Sequence, residues 1–235
     1  MPSGNADVSP PELPPELIAD RRTFEEALAR ATLGARPMRD ALPPGALERL
    51  FEYGRILHEK AAGMALIAKG DRPHLFTRHI LDSLNPLSLF EEPPESALDV
   101  GSGGGLPGIP LAIAWPRTRV VLLESRERKA GFLELAVRSL KLENARVVSG
   151  RLEDFGTSWR EEPAASVFVR ALGDLSSVLA HASRAARPDG SWVYFLGSRS
   201  AAEALGGAGD ETAAEVVAGA FGGRLLTGRF DARHR

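Results

Sequence analysis

The sequence predicts an α/β fold, a mostly parallel Rossmann-like sheet flanked by helices and preceded by a helical cap. Three observations carry that expectation. Beyond Pro93 and Pro94, short apolar runs alternate with stretches of helical spacing, the pattern of βαβ units. The first of those runs leads into a glycine-rich segment, residues 101–108, and then into a helix start, the arrangement that cradles a cofactor at the edge of such sheets. Upstream, residues 17–92 carry apolar positions at helical rather than alternating spacing. A length of 235 residues suits one α/β domain with an added terminal piece.

Taken in order, residues 1–16 are proline-rich and poor in apolar side chains, so they are expected to form a disordered arm. A first helix is expected from residue 17 to about 33, and Pro43, Pro44 and Gly45 separate it from the next. The second helix sets Leu47, Leu50, Phe51, Gly54 and Leu57 on one face, and a third, near 74–90, groups Phe76, Ile80, Leu84 and Leu87. These helices make up the cap, residues 17–92. In the sheet domain, residues 93–235, strands are expected at 97–100, 120–123, around Val147 and Val148, at 167–169 and at 192–196. Between them, Ala130, Leu133, Val137 and Leu140 share one helical face, and Leu175, Val178, Leu179 and Ala182 another. Residues 201–223 read as a Gly/Ala-rich, low-complexity stretch with no element assigned.

With 43% hydrophobic and 26% charged residues, the composition is that of a soluble globular protein. The absence of cysteine removes disulfides, thiolate metal sites and any cysteine nucleophile; no metal site is expected. There is no signal-peptide pattern and no apolar run long enough to span a membrane, so a cytoplasmic, monomeric protein is expected. A formal charge of −2 gives no overall attraction to nucleic acid, and any RNA contact must be local. Candidate patches are Arg126, Arg128 and Lys129, then Arg138 and Lys141, then Arg229, Arg233 and Arg235. Each also reads plainly as solvated surface.

The most informative segment runs from Asp99 through Gly101, Ser102, Gly103, Gly104, Gly105, Leu106 and Pro107 to Gly108, Ile109 and Pro110. Glycines allow positive φ and close approach of a ligand to backbone, and Pro110 suits the first turn of a helix. Gly103, Gly105 and Gly108 satisfy the dinucleotide pattern, which alone is weak. Asp99, Gly101, Gly103 and Gly105 satisfy D-x-G-x-G-x-G, and an acid at the strand end suits the methionine ammonium of S-adenosylmethionine, whereas it would repel a pyrophosphate. The reading therefore favours S-adenosylmethionine on a class I methyltransferase sheet, with a dinucleotide as the alternative. Glu124 ends the second strand, where a carboxylate can accept from both ribose hydroxyls of either cofactor. After the third strand, Leu152 and Glu153 stand where methyltransferases grip adenine; the plainer reading is a helix start with acids in its first turn.

Without cysteine, a covalent route to pyrimidine C5 is excluded. The fourth strand is followed by Val169, Arg170, Ala171 and Leu172 rather than the Asn/Asp-Pro-Pro-aromatic run of exocyclic-amine enzymes. A ring nitrogen with a free lone pair, such as guanine N7, needs no base and fits what remains. The run Arg78, His79, Ile80, Leu81, Asp82, Ser83, together with the Gly-Leu-Pro-Gly-Ile-Pro end of the glycine segment, resembles the glucose-inhibited division protein B family. So do Leu122 to Ser125, Lys129 with Phe132 and Leu133, Leu140 to Asn144, Arg151 with Glu153, and Arg170 with Ala171.

That resemblance implies a bacterial guanine-N7 methyltransferase of 16S ribosomal RNA acting on the 30S subunit. It implies that Gly101 and Leu106 contact the cofactor, that Leu152 and Glu153 hold its adenine end, that Arg170 lines the site, and that Arg78 and His79 flank the acceptor. Cofactor residues are thus expected to be Asp99, Gly101, Gly103, Gly105, Leu106, Glu124, Leu152, Glu153 and Arg170, with Arg170 and Arg78 catalytic. The plainer readings are an i,i+4 pair of Arg78 with Asp82, a pair of Arg170 with Asp99 or Asp174, and a core or capping role for His79. The chain departs from the family at residues 60–67, where polar groups are expected, and at Gly197, where a lysine is expected. It is also expected to stop short of the family's final strand. A small-molecule methyltransferase and a non-catalytic cofactor- or ribosome-binding relative are the alternatives.

Overall fold

The computed structural model describes residues 13–33, 36–155, 161–171, 174–197, 203, 214–221 and 223–230. Its centre is a seven-stranded sheet: β1 Ser96–Val100, β2 Arg119–Glu124, β3 Ala145–Ser149, β4 Ala164–Arg170, β5 Ala186–Phe195, β6 Glu215–Ala218 and β7 Arg224–Arg229. The spatial order is β3-β2-β1-β4-β5-β7-β6. β1 to β5 run parallel, whereas β7 lies antiparallel between β5 and β6. The five strands expected from sequence are all present. The chain also carries a terminal strand, β7, and this corrects the expectation that it stops short of one.

β1 is buried at all five positions, as a central parallel strand covered on both faces must be. Side chains alternate between two cores. Ala97, Leu122, Phe168 and Val193 face one, and Leu98, Leu123, Val167, Val169, Trp192 and Tyr194 face the other. The helices between strands are α3 Gly108–Ala114, α4 Glu127–Ser139 and α5 Leu175–Ala185. Strand order reverses between β1 and β4, so loops at the carboxyl ends there are where a ligand sits in this class of sheet.

Two long helices precede the sheet, α1 Pro15–Arg30 and α2 Ala46–Met64. α1 starts two residues earlier than expected: Pro15 stands at the first helical position, where a missing N–H costs nothing. Residues 1–12 of the expected arm lie outside the described residues, as do Arg233 and Arg235. The expected third helix is instead a composite. A 3-10 stretch Lys69–His74, a π-helical turn Leu75–Ile80, a single α turn Leu81–Ser83 and another 3-10 turn Asn85–Ser88 follow one another. The π turn is fastened by buried Asp20 of α1, which accepts from the Phe76 N–H at 2.6 Å and from the Thr77 N–H and hydroxyl. Phe24, Phe51 and Phe76 pack with ring centroids 5.6–6.2 Å apart. These N-terminal elements share one continuous core with the sheet face carrying α3 and α4. No helix among the described residues is long and apolar enough to cross a membrane.

Candidate active site

The glycine loop leaves β1 with Gly101, Gly103 and Gly105 at φ 69°, 57° and 88°, values that carry no side-chain penalty only for glycine. Gly105 is also sterically bound to be glycine, since a Cβ there would lie 2.5 Å from Ile109 Cδ1. Several groups hold the loop. Ser102 N–H donates to the Leu123 carbonyl at 2.9 Å and its hydroxyl to the Asp99 carbonyl at 3.0 Å. Tyr53, buried in α2, donates its hydroxyl to the Gly104 carbonyl at 2.6 Å. Long-range contacts of this kind leave no mark in local sequence, and Tyr53 was not among the expected site residues.

The two strand-end acids brace this loop. Glu124 accepts from the Gly103 N–H at 2.9 Å through Oε2 and from the Arg126 N–H at 2.8 Å through Oε1. Asp99, 1% exposed, accepts from the Gly108 N–H at 3.0 Å through Oδ2. Its Oδ1 is buried without a hydrogen-bond partner. Burial pushes the Asp99 carboxyl up to about 6, against the lowering pull of the Gly108 N–H and the Arg170 charge.

Beside the loop a cleft of about 210 Å³ opens at the carboxyl ends of the strands. Val100 and Gly101 form one side, Leu123 and Ser125 the next, and Gly150, Arg151, Leu152 and Glu153 the far side. Ser177, Val178 and His181 of α5 close it. Of the expected cofactor residues, Gly101, Leu152 and Glu153 therefore line the cleft together. Asp99, Gly103, Gly105, Leu106 and Glu124 belong to the loop and strand ends that shape it. The α5 contribution was missed from sequence, although a helix following β4 at the reversal point is a signal that could have found it.

Arg170 and Arg78 lie apart from that cleft. Arg170 is 16% exposed, pairs with Asp82 at 2.9 Å, and donates to Ser83 Oγ at 3.0 Å, to the His79 carbonyl at 3.3 Å and to the Arg78 carbonyl at 3.2 Å. Its guanidinium carbon sits 5.4 Å from the Phe195 ring centroid. The partner is thus Asp82, neither Asp99 nor Asp174; Asp174 instead caps α5 by accepting from the Ser177 N–H at 3.1 Å. Arg78, 61% exposed, pairs with Asp71 at 2.9 Å rather than with Asp82. His79 is held neutral: burial, then the Arg170 charge, lowers it to about 4. Ala171 follows Arg170 at φ 56°, a left-handed conformation that costs a non-glycine residue about 1–2 kcal/mol and concentrates at working sites.

Residues 46–220 match the family described as rRNA small subunit methyltransferase G, a stretch that runs from α2 past β6. The chain belongs to the rRNA small subunit methyltransferase G family. The resemblance read from the Arg-His-Ile-Leu-Asp-Ser and glycine segments therefore holds. A ribosomal RNA small subunit methyltransferase G from Alkalilimnicola ehrlichii is 40% identical over 156 residues, 66% of this chain and 69% of that one. Ribosomal RNA small subunit methyltransferase G 2 from Syntrophobacter fumaroxidans is 33% identical over 162 residues, and the match spans 69% of this chain but 32% of that protein. Among solved structures, an O-methyltransferase from Bacillus cereus in complex with SAH aligns with a TM-score of 0.53 at 18% identity. That alignment covers 77% of this chain and 90% of the other; it speaks for the fold alone.

Within this methyltransferase G chain the departure at residues 60–67 has a visible packing role. Ala61 and Ile67 are buried, and a Cβ at Gly104 would sit 3.4 Å from the Leu66 carbonyl oxygen and 3.3 Å from Leu57 Cδ1. Leu66 thus packs against the glycine loop at Gly104, an apolar contact in a segment where polar groups were expected.

Proposed function

We propose that the chain transfers the methyl group of S-adenosylmethionine to N7 of a guanine in 16S ribosomal RNA, acting as a cytoplasmic monomer on the 30S subunit. In this reading residues 93–235 form the cofactor-binding domain and residues 17–92 the substrate-side cap. The observation that carries it is the cleft bordered by Gly101, Leu152 and Glu153 in a chain of the methyltransferase G family.

The residues fit the cofactor. A buried carboxylate oxygen without a partner, Asp99 Oδ1, is chemically unsatisfied, and an ammonium group is the natural complement. Glu124 retains lone pairs beyond its two backbone bonds and can accept from ribose hydroxyls. Gly101, Gly103, Gly105 and Leu106 offer backbone and a small apolar surface, with Leu152 and Glu153 at the adenine end. S-adenosylmethionine, when bound, supplies an electrophilic methyl group on a sulfonium sulfur.

The chain's own task is alignment. Guanine N7 carries a lone pair and loses no proton on methylation, so no general base is needed; His79, lowered to about 4 by burial and the Arg170 charge, is a weak base. Arg170 holds the backbone of residues 78–83 against the end of β4, and Arg78 offers an exposed charge to a phosphate. Holding the two reactants in line supplies most of what such a reaction needs.

The test is methyl transfer from radiolabelled cofactor to 30S subunits that lack the modification, followed by chemical cleavage at 7-methylguanine. Label at one guanine of 16S RNA supports the reading. Label in a small-metabolite pool without particles would move the acceptor to a small molecule, and no label anywhere, with S-adenosylhomocysteine failing to raise the melting temperature, would reject cofactor use.

A further inference from the structure

The turn between β6 and β7 closes on a side chain from the other end of the chain. Gly219 N–H donates to the Gly223 carbonyl at 2.7 Å, and Phe221 N–H donates to Asn85 Oδ1 at 2.9 Å. Asn85 is fully buried. A Cβ at Gly219 would lie 2.3 Å from Asn85 Oδ1, and one at Gly223 would lie 2.2 Å from Asn85 Nδ2. Both positions therefore require glycine, and Gly219 and Gly223, from the Gly/Ala-rich stretch whose residues 201–202, 204–213 and 222 lie outside the described residues, form a fitted seat for Asn85.

The contact continues inward. Asn85 Nδ2 donates to Asp82 Oδ1 at 2.8 Å, Asp82 Oδ2 pairs with Arg170 at 2.9 Å, and Arg170 reaches Ser83 and the His79 carbonyl. One uninterrupted series of hydrogen bonds thus joins the C-terminal hairpin to the end of β4. The amide suits position 85 because its oxygen accepts from a backbone N–H on one side while its NH2 donates to a carboxylate on the other.

We infer that Asn85 is a positioning residue for methyl transfer: it ties the β6–β7 hairpin to the Asp82–Arg170 pair and so sets where the Arg170 guanidinium lies. This rests on the reading above, in which Arg170 holds the acceptor side of the site. The groups facing Asp82 are Arg170 from β4, Asn85 from its own segment and the Gly223 backbone from the hairpin; the Arg78 carbonyl and His79 touch the guanidinium, and Asp71 lies beyond them beside Arg78 and His79. Burial raises the Asp82 carboxyl, while Arg170 and the Asn85 amide hold it down.

The decisive variant is Asn85→Asp, which keeps an acceptor for the Phe221 N–H but replaces the donor to Asp82 with a second carboxylate. On 30S subunits, kcat should fall about fivefold to tenfold, the size of coupling through one intervening contact. KM and S-adenosylhomocysteine affinity should stay within about twofold, and the acid limb of the kcat profile should move to higher pH. Parental kcat with an unmoved acid limb would overturn the inference and reduce Asn85 to an anchor of the hairpin. Should that variant fail to fold, Asn85→Ala carries the same test: it removes both the donor to Asp82 and the acceptor for the Phe221 N–H, so kcat should drop at least equally and the acid limb should again move to higher pH. Its failure to do so is equally decisive. Arg170→Gln, run alongside, separates the two levels. Full activity there sinks the reading of Arg170, whereas loss there with an unaffected Asn85→Asp sinks only the link through Asn85.

Discussion

Replacing Tyr53 with phenylalanine isolates one hydrogen bond between the N-terminal helices and the glycine loop. The ring is fully buried and the hydroxyl donates to the Gly104 carbonyl at 2.6 Å. Phenylalanine keeps the ring volume, so no cavity of consequence forms. What is lost is one donor to a buried backbone carbonyl, a change that costs about 1–3 kcal/mol when the remaining group stays dry. For a chain of this size each kcal/mol corresponds to roughly 2–4 °C, so the melting temperature should drop by about 2–12 °C. Gly104 lies at the centre of the proposed cofactor cradle, and loosening it raises the cost of ordering the loop on binding. S-adenosylhomocysteine affinity should therefore weaken by up to about tenfold, equivalent to about 1.4 kcal/mol. Thermal unfolding and isothermal titration calorimetry read the two quantities separately. A variant with parental midpoint and parental affinity would show that the helix does not hold the loop, and the reasoning would fall.

Other outcomes follow from the same geometry. Asp99 titrates near 6 in the folded chain against an ordinary 3.8; between those values the folded chain holds more proton than the unfolded one, so stability from this group declines as pH rises through that window and is flat above it. Asp99→Asn should remove this group's share of the pH dependence, read as the difference between variant and parent urea midpoints on either side of the window, since the lowered His79 contributes the opposite slope to both. Gly108→Ala would set a Cβ 2.2 Å from Leu122 Cδ2 and 2.6 Å from Asp99 Oδ2, and should lose about 3 kcal/mol or more in a thermal melt. Glu124→Ala strips the Gly103 and Arg126 N–H groups of their acceptor and should weaken S-adenosylhomocysteine binding by about tenfold or more; undiminished calorimetric affinity would remove Glu124 from the site.

The parallel strands and the glycine loop were legible because their signals are local. Runs such as Val120 to Leu123 and Val167 to Val169 have no other place to go than a buried sheet, and a strand followed by clustered glycines and a proline marks its own turn. β6 and β7 were not legible, since their apolar pairs, Val216 with Val217 and Leu225 with Leu226, are two residues long and lie in a glycine-rich stretch. The pairing of β7 with β5, and of β6 with β7, is a tertiary fact. The ion pairs were misassigned for a related reason. Helical spacing put Arg78 and Asp82 on one face, but residues 75–80 wind as a π turn and the carboxylate turns inward to Arg170. His181 and Tyr53 reach their places only through helix packing, which no short window of sequence encodes.

The common core beneath the N-terminal helices and the sheet bears on protein engineering. Leu17, Phe24, Leu50 and Phe76 are packed in the same cluster as Ala97, Ile113 and Phe168, so the cap is no detachable module. A chimera that exchanged residues 17–92 for those of a distant relative would leave the core that the cap shares with α3 and α4 without its partners unless the swapped helices brought matching contours. Retargeting such a scaffold is thus better attempted one exposed side chain at a time than by cassette.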